Sequence, residues 1–457
     1  MKPVIELAGK KVLVVGLART GIATALFCAE RGARVTATEE RRESEIAETA
    51  TKLRAAGVTL ELGAHRPETF VRQDLIVPSP GVPQTMPALA AARAIGVPVW
   101  SEIELAWRFL RGRLICITGS NGKTTTTSLI GHILETAKMP VQVAGNIGTP
   151  LISRVDVSSD SSFTVVEASS FQLESISAFR PDIAVLLNIT PDHLDRHGST
   201  EAYGSAKARI FENQTAEDVA VINADDAVAP QYAPAEPRMF WFSRTKRVAS
   251  GCYLRGDEIV FRSDGVESVL LERKAIGLRG SHNLENVLAA AAAARLAGIA
   301  PSAIAEGVRT FAGVEHRIEY VATVSGVEYF NDSKATNVDA TLKALDAFPG
   351  NVLVILGGKD KGSDYKILRQ ALRSRARLAL LIGSAADKIE AGLAGIVPVE
   401  RADTLERAVE IASRRAQPGD TVLLAPACAS FDQFENYEHR GRVFKQLVRD
   451  LEKRHAA

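Results

Sequence analysis

Eight consecutive residues, Thr118-Gly119-Ser120-Asn121-Gly122-Lys123-Thr124-Thr125, combine the side chains and the backbone freedom that hold a polyphosphate. The glycines let backbone N–H groups turn toward phosphate oxygens. Lys123 adds a point charge, and the Thr124 hydroxyl can bind Mg²⁺. An apolar run at 114–118 precedes the segment and a helical stretch at 123–138 follows it. The loop therefore lies between a strand and a helix N-terminus, where the helix dipole favours an anion. The general pattern has a further glycine at position 117, but Ile117 stands there, so this is a shortened GxxGK[ST] loop. A glycine-rich turn that merely caps a helix is the competing reading; strand, lysine and paired threonines together argue against it.

Such a loop needs an acid at a neighbouring strand end to hold the metal. Glu167, which closes the apolar run 163–166, is the candidate. Its alternative is a carboxylate that stabilises the start of the next helix. The next apolar run, 183–187, leads into Asn188-Ile189-Thr190-Pro191-Asp192-His193-Leu194-Asp195-Arg196-His197. His193, Asp195 and His197 alternate as metal ligands do and alone would suggest either a metallohydrolase or a polar loop. Beside a phosphate loop, one histidine as a second Mg²⁺ ligand becomes the better reading. A second glycine motif, Gly16-Leu17-Ala18-Arg19-Thr20-Gly21, approaches the dinucleotide fingerprint GxGxxG, with Glu39 and Glu40 where a ribose-binding acid belongs. Ala18 replaces the glycine whose missing Cβ admits the pyrophosphate, so it is a weak signal for NAD.

The elements that must position these residues follow from length and pattern. At roughly 150 residues per domain, 457 residues give about three domains. Apolar residues are 46% and charged residues 24%, which supplies cores and excludes wholesale disorder. The net charge of +1 offers no field for nucleic acid or a membrane surface, although a local anion site needs only a few residues. Cys28, Cys116, Cys252 and Cys428 are far apart, with no CxxC pair, which fits a reducing cytoplasm and neither a disulfide scaffold nor structural zinc. Glu6, Lys10 and Lys11 interrupt the N-terminus, so no signal peptide is expected there. No run approaches the ~20 apolar residues of a spanning helix, so no membrane insertion is expected. The alanine run 289–294 reads as a packed helix.

Strands at 11–15, 35–38 and 75–77, with a helix at 21–31, predict a parallel, helix-covered sheet. Pro78-Ser79-Pro80-Gly81-Val82-Pro83 forms a stiff loop, and Gly/Pro punctuation at 96–98 suggests a boundary. From 238 to 276, short alternating runs broken by Arg255-Gly256-Asp257 and Ser263-Asp264-Gly265 predict antiparallel hairpins, followed by a helix at 283–297. The last block carries strands at 327–330, 352–356, 378–382 and 421–424. The expected fold class is α/β in three domains. Residues 1–98 form a Rossmann-like parallel sheet. Residues 99–313 form a phosphate-loop domain with a small antiparallel patch, and 314–457 a second Rossmann-like domain.

The segments 118–125, Gly145-Asn146-Ile147-Gly148, 167–174 (EASSFQLE) and 188–196 together resemble the Mur ligase family of ATP-dependent amino-acid ligases. So do His282-Asn283 with Asn286, and His316-Arg317. Asn331-Asp332-Ser333-Lys334-Ala335-Thr336-Asn337 and the segment 426–434 (PACASFDQF) narrow the resemblance to one branch. That branch adds D-glutamate to UDP-N-acetylmuramoyl-L-alanine in peptidoglycan precursor synthesis. The resemblance spans all three blocks. It implies that the substrate carboxylate attacks the γ-phosphate of ATP to give an acyl phosphate, which the glutamate amine then opens. Positioned cations would stabilise both charged steps.

The resemblance further implies a role for each matching residue. Gly119, Ser120, Asn121, Gly122, Lys123, Thr124 and Thr125 would cradle ATP, with Lys123 on the β/γ-phosphates. Thr124 and Glu167 would hold one Mg²⁺. His193 would help hold a second, bridged by a carbamylated Lys207; from sequence alone Lys207 reads as a solvated helix lysine. Asn283 and Asn286 would contact adenine and ribose, Arg317 the γ-phosphate, and Asp332 and Lys334 would complete the nucleotide site by closure of the third domain. Gly16, Leu17, Arg19, Thr20, Glu39, Glu40, Ser79 and Gly81 would hold the UDP part of the substrate. Asn146, Ser169 and Gln172 would face the muramoyl part. Thr336, Lys361, Ser430, Phe431 and Tyr437 would bind the glutamate. A cytoplasmic monomer is implied.

Three positions depart from the family pattern. Glu39-Glu40 stands where Asp-Thr is commoner. Gly357-Gly358-Lys359-Asp360-Lys361-Gly362 offers two lysines, of which Lys361 fits by position. Tyr437 replaces a common phenylalanine. A folylpolyglutamate synthetase-like ligase, a non-catalytic nucleotide-binding regulator and an NAD-dependent oxidoreductase are the alternatives. The first would lack the block before residue 99. The second leaves Lys123, Glu167, His193, Lys207, Asp332 and Lys334 without purpose, and the third leaves 118–125 unexplained.

Overall fold

The computed structural model describes residues 5–456 apart from Ile147 and Arg279, with the backbone alone at Asp195, Ser281 and Ala456. The described chain forms two compact units. One runs up to Ile276 and includes Glu285–Phe311; the other comprises Gly277–Leu284 and the chain from Ala312 onward.

The first unit holds two sheets. Strands β1 (Lys11–Val15), β2 (Arg34–Glu39), β3 (Thr59–Leu62) and β4 (Leu75–Pro78) are all parallel, in the order β3-β2-β1-β4. Val12 to Val15 are wholly buried, as expected for a central parallel strand with both faces covered. β3 was not anticipated: Thr59-Leu60-Glu61-Leu62 is a half-buried edge with little apolar signal. Residues 98–100 extend the other edge, where Ile76 N–H donates to Pro98 O and Trp100 N–H to Ile76 O.

The second sheet contains β5 (Arg113–Thr118), β6 (Val141–Gly145), β7 (Phe163–Glu167), β8 (Ile183–Leu186), β9 (Val219–Asn223), β10 (Arg238–Ser243), β11 (Gly251–Arg255), β12 (Glu258–Ser263) and β13 (Val266–Glu272). Their order is β13-β12-β11-β10-β9-β8-β5-β7-β6. The expectation of hairpins from residue 238 needs correction at its start. β10 pairs parallel with both β9 and β11, and only β11–β13 are antiparallel. A short connection suffices between β10 and β11 because they overlap only from Trp241/Gly251 to Ser243/Tyr253. Gly251 is required there: at φ 129°, an added Cβ would lie 1.8 Å from Trp241 O. The two-residue turn Asp264-Gly265, with φ of 53° and 79°, matches the twist of the β12–β13 hairpin. The alanines 289–294 are wholly buried in the helix Ser281–Leu296.

The second unit is built on β14 (Glu319–Val324), β15 (Val327–Asn331), β16 (Val352–Gly357), β17 (Ala376–Ile382), β18 (Val399–Asp403) and β19 (Thr421–Leu424), in the order β14-β15-β19-β16-β17-β18. Its core strands are parallel and only β14 is antiparallel, against β15. The edge strands β14 and β18 were not foreseen, since each mixes exposed polar with apolar residues.

Two buried carboxylates on the helix Glu102–Phe109 fasten that helix to segments that flank the second sheet. Glu104 Oε2 accepts from the N–H groups of Ser177, Ala178 and Phe179, and its Oε1 meets Arg108. Glu102 Oε1 accepts from Ile152 N–H at 2.6 Å, while its Oε2 has no partner. Burial pushes the Glu102 carboxyl up to about 7, against the opposing Ile152 and Leu151 amides. A carboxyl raised in this way binds its proton more tightly when folded. Its contribution to stability is therefore full below the unfolded value of 4.5 and is lost as pH rises through about 7. Between about pH 4.5 and pH 8 the natural protein should lose up to ~3 kcal/mol relative to Glu102→Gln, measured by urea unfolding at each pH. Parallel pH profiles would contradict this.

Candidate active site at the phosphate loop

The C-terminal ends of β5, β7 and β8 lie side by side, which is where an open parallel sheet binds ligands. Residues 119–122 turn from β5 into the helix Lys123–Thr136 through Gly119 (φ 151°) and Gly122 (φ 85°). An alanine Cβ at Gly122 would meet Asn286 Oδ1 at 2.2 Å, so the helix bearing Asn286 packs directly on the loop. The segment after β8 braces the loop from the other side. Ser120 N–H donates to Asn188 O, Asn121 N–H to Asn188 Oδ1 at 2.8 Å, and Thr190 N–H to Ser120 Oγ at 2.9 Å. Asn188 and Thr190 were not singled out as site residues. Their signal is the polar pair that follows directly on an apolar strand.

Lys123 Nζ donates to Gly119 O at 2.8 Å and Ser120 O at 2.9 Å. Lys207 Nζ donates to the same Gly119 O at 2.9 Å and lies 4.3 Å from the Tyr203 ring centroid. Lys207 is 1% exposed, which corrects its reading as a solvated helix lysine. Burial first, and then the charge of Lys123, hold its ammonium well below the usual lysine range.

Glu167 is 2% exposed, and each of its oxygens serves a different loop. Thr124 Oγ1 donates to Oε2 at 2.8 Å, and Asn146 Nδ2 donates to Oε1 at 2.8 Å. Two cis ligands of an octahedral Mg²⁺ with bonds near 2.05 Å lie about 2.9 Å apart. The Thr124–Glu167 separation therefore fits such an ion, and both donors are the hard oxygens it takes. Ser120, Thr124 and Thr125 are buried around this point.

His193 takes a left-handed backbone conformation (φ 52°), with its half-exposed ring edge-on to Phe171 at 5.0 Å. His197 faces elsewhere. Its Nε2 meets Ser170 Oγ at 3.0 Å, its Nδ1 meets Glu174 at 3.4 Å, and its ring stacks on Phe171. The Asp195 side chain lies outside the described residues; of the two histidines, His193 is the one placed toward solvent. Arg196 joins Glu174 at 3.1 Å to Val82 O at 3.0 Å, tying this segment to the proline-rich loop. Ser169 and Gln172 bond to each other as a capping box.

In the first glycine motif, Ser79 Oγ donates to Gly16 O at 2.9 Å, and a Cβ at Gly21 would lie 1.9 Å from that same oxygen. Glu39 accepts from Leu17 N–H at 2.7 Å and pairs with Arg41 at 3.0 Å. Burial raises this carboxyl, but Arg41 and the two amides outweigh it and bring it to about 2. Glu39 thus braces the loop, while Glu40 is exposed, 3.6 Å from His65. Arg19 Nη1 donates to Gly148 O at 2.7 Å, linking the motif to the loop that carries Asn146. Thr20 caps the turn below through its carbonyl, which accepts from Thr24; Gly81 is exposed.

In the second unit, Asn283 and Arg317 line a cavity of about 140 Å³ with Leu278, Tyr320 and Phe330. Asp332 is buried with Oδ1 unpartnered. Burial lifts it to about 6 against Arg317, the Ile318 amide and Lys334. The Lys334 ammonium lies 5.5 Å from the Tyr437 ring. Ser430 is buried, whereas Lys361 and Phe431 are exposed; Thr336 lies two residues after Lys334, to whose carbonyl its N–H donates. Arg440, wholly buried, was overlooked. It donates to Ser333 Oγ and O at 2.9 and 2.8 Å and to Cys428 O at 3.3 Å, so it fastens the loop holding Asp332 and Lys334 to the one holding Ser430. In sequence it is one arginine in a strongly charged helix, with nothing local to mark it.

Gly122→Ala should weaken ATP binding at least about tenfold while leaving the fold intact. Equilibrium nucleotide binding together with circular dichroism would check this, and unchanged affinity would contradict the geometry.

Comparison with known proteins agrees with this layout. Residues 10–101 match the Mur ligase MurD-like N-terminal domain, 117–294 the Mur ligase middle domain, and 316–428 the Mur ligase glutamate ligase domain. A UDP-N-acetylmuramoylalanine–D-glutamate ligase of Acidobacterium capsulatum is 55% identical, covering 97% of each chain. One of Koribacter versatilis is 52% identical, covering 98% of this chain and 99% of its own. The fold is also that of a MurF ligase from Thermotoga maritima solved in complex with ADP, with a TM-score of 0.62 at 18% identity over 98% of this chain and 96% of that one. Three successive family domains and full-length relatives above half identity establish that the chain belongs to the Mur ligase family.

Proposed function

We propose that this chain joins D-glutamate to UDP-N-acetylmuramoyl-L-alanine at the cost of ATP, in cytoplasmic peptidoglycan precursor synthesis. The observation that carries it is the Thr124–Glu167–Asn146 chain, which ties the phosphate loop to the loop that would face the substrate carboxylate. Residues 1–98 take the UDP-sugar, 99–313 the ATP, and 314–457 the amino acid.

The substrate carboxylate attacks the γ-phosphorus; the bond to the bridging oxygen breaks and ADP leaves. The glutamate amine then attacks the acyl carbon, loses a proton, and inorganic phosphate departs. Lys123 and Arg317 lie on the phosphates and offset charge gathered there. Gly119, Ser120, Asn121, Gly122 and Thr125 hold the phosphate chain. Asn283 and Asn286 hold the nucleoside, and Asp332 and Lys334 complete its site. Thr124 and Glu167 would hold one Mg²⁺, and His193 with Lys207 a second; such ions would supply positive charge at the transferring phosphoryl group. Burial and the charge of Lys123 weaken the hold of Lys207 on its proton, which favours the amine that attacks CO₂. Its nitrogen bonds the carbon and sheds a proton, leaving an anionic carbamate suited to lie between two cations. Gly16, Leu17, Arg19, Thr20, Glu40, Ser79 and Gly81 hold the UDP group, with Glu39 bracing them. Asn146, Ser169 and Gln172 hold the muramoyl part, and Thr336, Lys361, Ser430, Phe431 and Tyr437 the glutamate.

The purified chain, given ATP, Mg²⁺, UDP-N-acetylmuramoyl-L-alanine and a panel of amino acids, should release phosphate only with D-glutamate. No glutamate-dependent release would sink the reading, and preference for L-glutamate would reassign the stereochemistry. Lys207→Ala should lose most activity, and bicarbonate should not restore it; a fully active variant would refute the carbamate.

A further inference from the structure

Arg317 sits between two strained residues. His316 has φ 65° and Ile318 has φ 43°, the left-handed region that a β-branched residue such as isoleucine scarcely enters. Such backbone persists only where its surroundings over-determine it. Here they do. Lys334 N–H donates to His316 O at 3.2 Å, His316 N–H donates to Glu319 Oε2 at 2.9 Å, and the Ile318 amide bonds Asp332.

The His316 side chain anchors the elbow. It is 3% exposed and packs so closely on the last helix that a Cβ at Gly441 would lie 2.2 Å from its Nδ1. Asn331 Nδ2 approaches the same Nδ1 at 2.9 Å. The orientation of the Asn331 amide is fixed by its other bonds: Nδ2 donates to Glu319 Oε2 at 3.1 Å, and Oδ1 accepts from Ser333 N–H at 3.1 Å. His316 Nδ1 is therefore an acceptor and Nε2 carries the hydrogen.

That assignment decides what the surrounding cluster is. Glu315, His316 and Glu319 present ligand atoms within 4.8 Å of one another, as metal sites do. But Nε2 is protonated, and Lys445 Nζ already bonds Glu315 Oε1 at 2.5 Å and Glu319 Oε1 at 2.9 Å. The two carboxylates share one ammonium, and the cluster works as a brace.

We propose that His316, held by Asn331, Glu319 and Lys445, is a positioning residue that keeps the strained elbow 316–318 wound and so sets Arg317 for the γ-phosphate of a nucleoside triphosphate. The placement of Arg317 on that phosphate rests on the function proposed above. The brace accounts for the strain: without it the elbow relaxes to negative φ and the guanidinium swings away, although the nucleoside subsites remain.

The test compares ATP with ADP by equilibrium binding, which needs no acceptor substrate and so stands apart from glutamate-dependent phosphate release. Arg317→Ala and His316→Leu should each weaken ATP about tenfold and leave ADP within about twofold. The double variant should be no worse than either single one, because both remove the same interaction. His316→Asn, which keeps an acceptor near the Nδ1 position, should restore most of the ATP affinity, whereas His316→Gln should not. Lys445→Met, outside any ligand site, should show the same ATP-selective loss in smaller degree even where His316→Leu folds poorly. Equal losses for ATP and ADP, or losses that multiply in the double variant, would overturn the proposal.

Discussion

A buried carboxylate must be partnered or it costs more than the fold can bear, and Glu167 meets that demand from two sides. One oxygen takes the Thr124 hydroxyl and the other the Asn146 amide. Because β7 lies between β5 and β6, a single side chain at its end reaches the loops that follow both neighbours. The phosphate loop, the acceptor loop and the helix carrying Thr124 are located with reference to this one group. Gly148, beyond Asn146, then accepts from Arg19 and brings in the first glycine motif. Within the first unit these loops are drawn together by hydrogen bonds that radiate from one strand end.

Charge is handled locally throughout. The chain is nearly neutral, yet Lys123 and Lys207 converge on the single carbonyl of Gly119. Burial first, and then the neighbouring charge of Lys123, lower the proton affinity of Lys207. The same economy appears at Glu104, whose carboxylate is satisfied by three backbone amides and one arginine, while Glu102 meets one amide and leaves its other oxygen unpartnered.

What could be read from the chain depended on how local its physical cause was. The phosphate loop is contiguous, and strand, glycines, lysine and helix start declare it together. Glu167 was legible because a carboxylate ending an apolar strand has few other uses. Most central strands announced themselves as apolar runs, although the buried central strand β9 was passed over, and edge strands such as β3, β14 and β18, half exposed, carried no such mark. β10 was misjudged because its parallel partners depend on an offset that no local pattern encodes. Burial of Lys207 and Arg440 is likewise invisible locally, since their neighbours in the chain are those of ordinary surface helices.

Arg440 has a consequence for the order in which the protein is made. The last strand, β19, ends at Leu424, so all six strands of the second unit exist before Arg440 has been synthesised. One face of that sheet is still uncovered at that stage, because Phe444, Val448 and Leu451 of the final helix belong to its core. The loops at Ser333 and Cys428 lack their common tie until the final helix docks and its guanidinium enters between them. The final helix therefore completes one core of the second unit and ties the two loops in the same docking step.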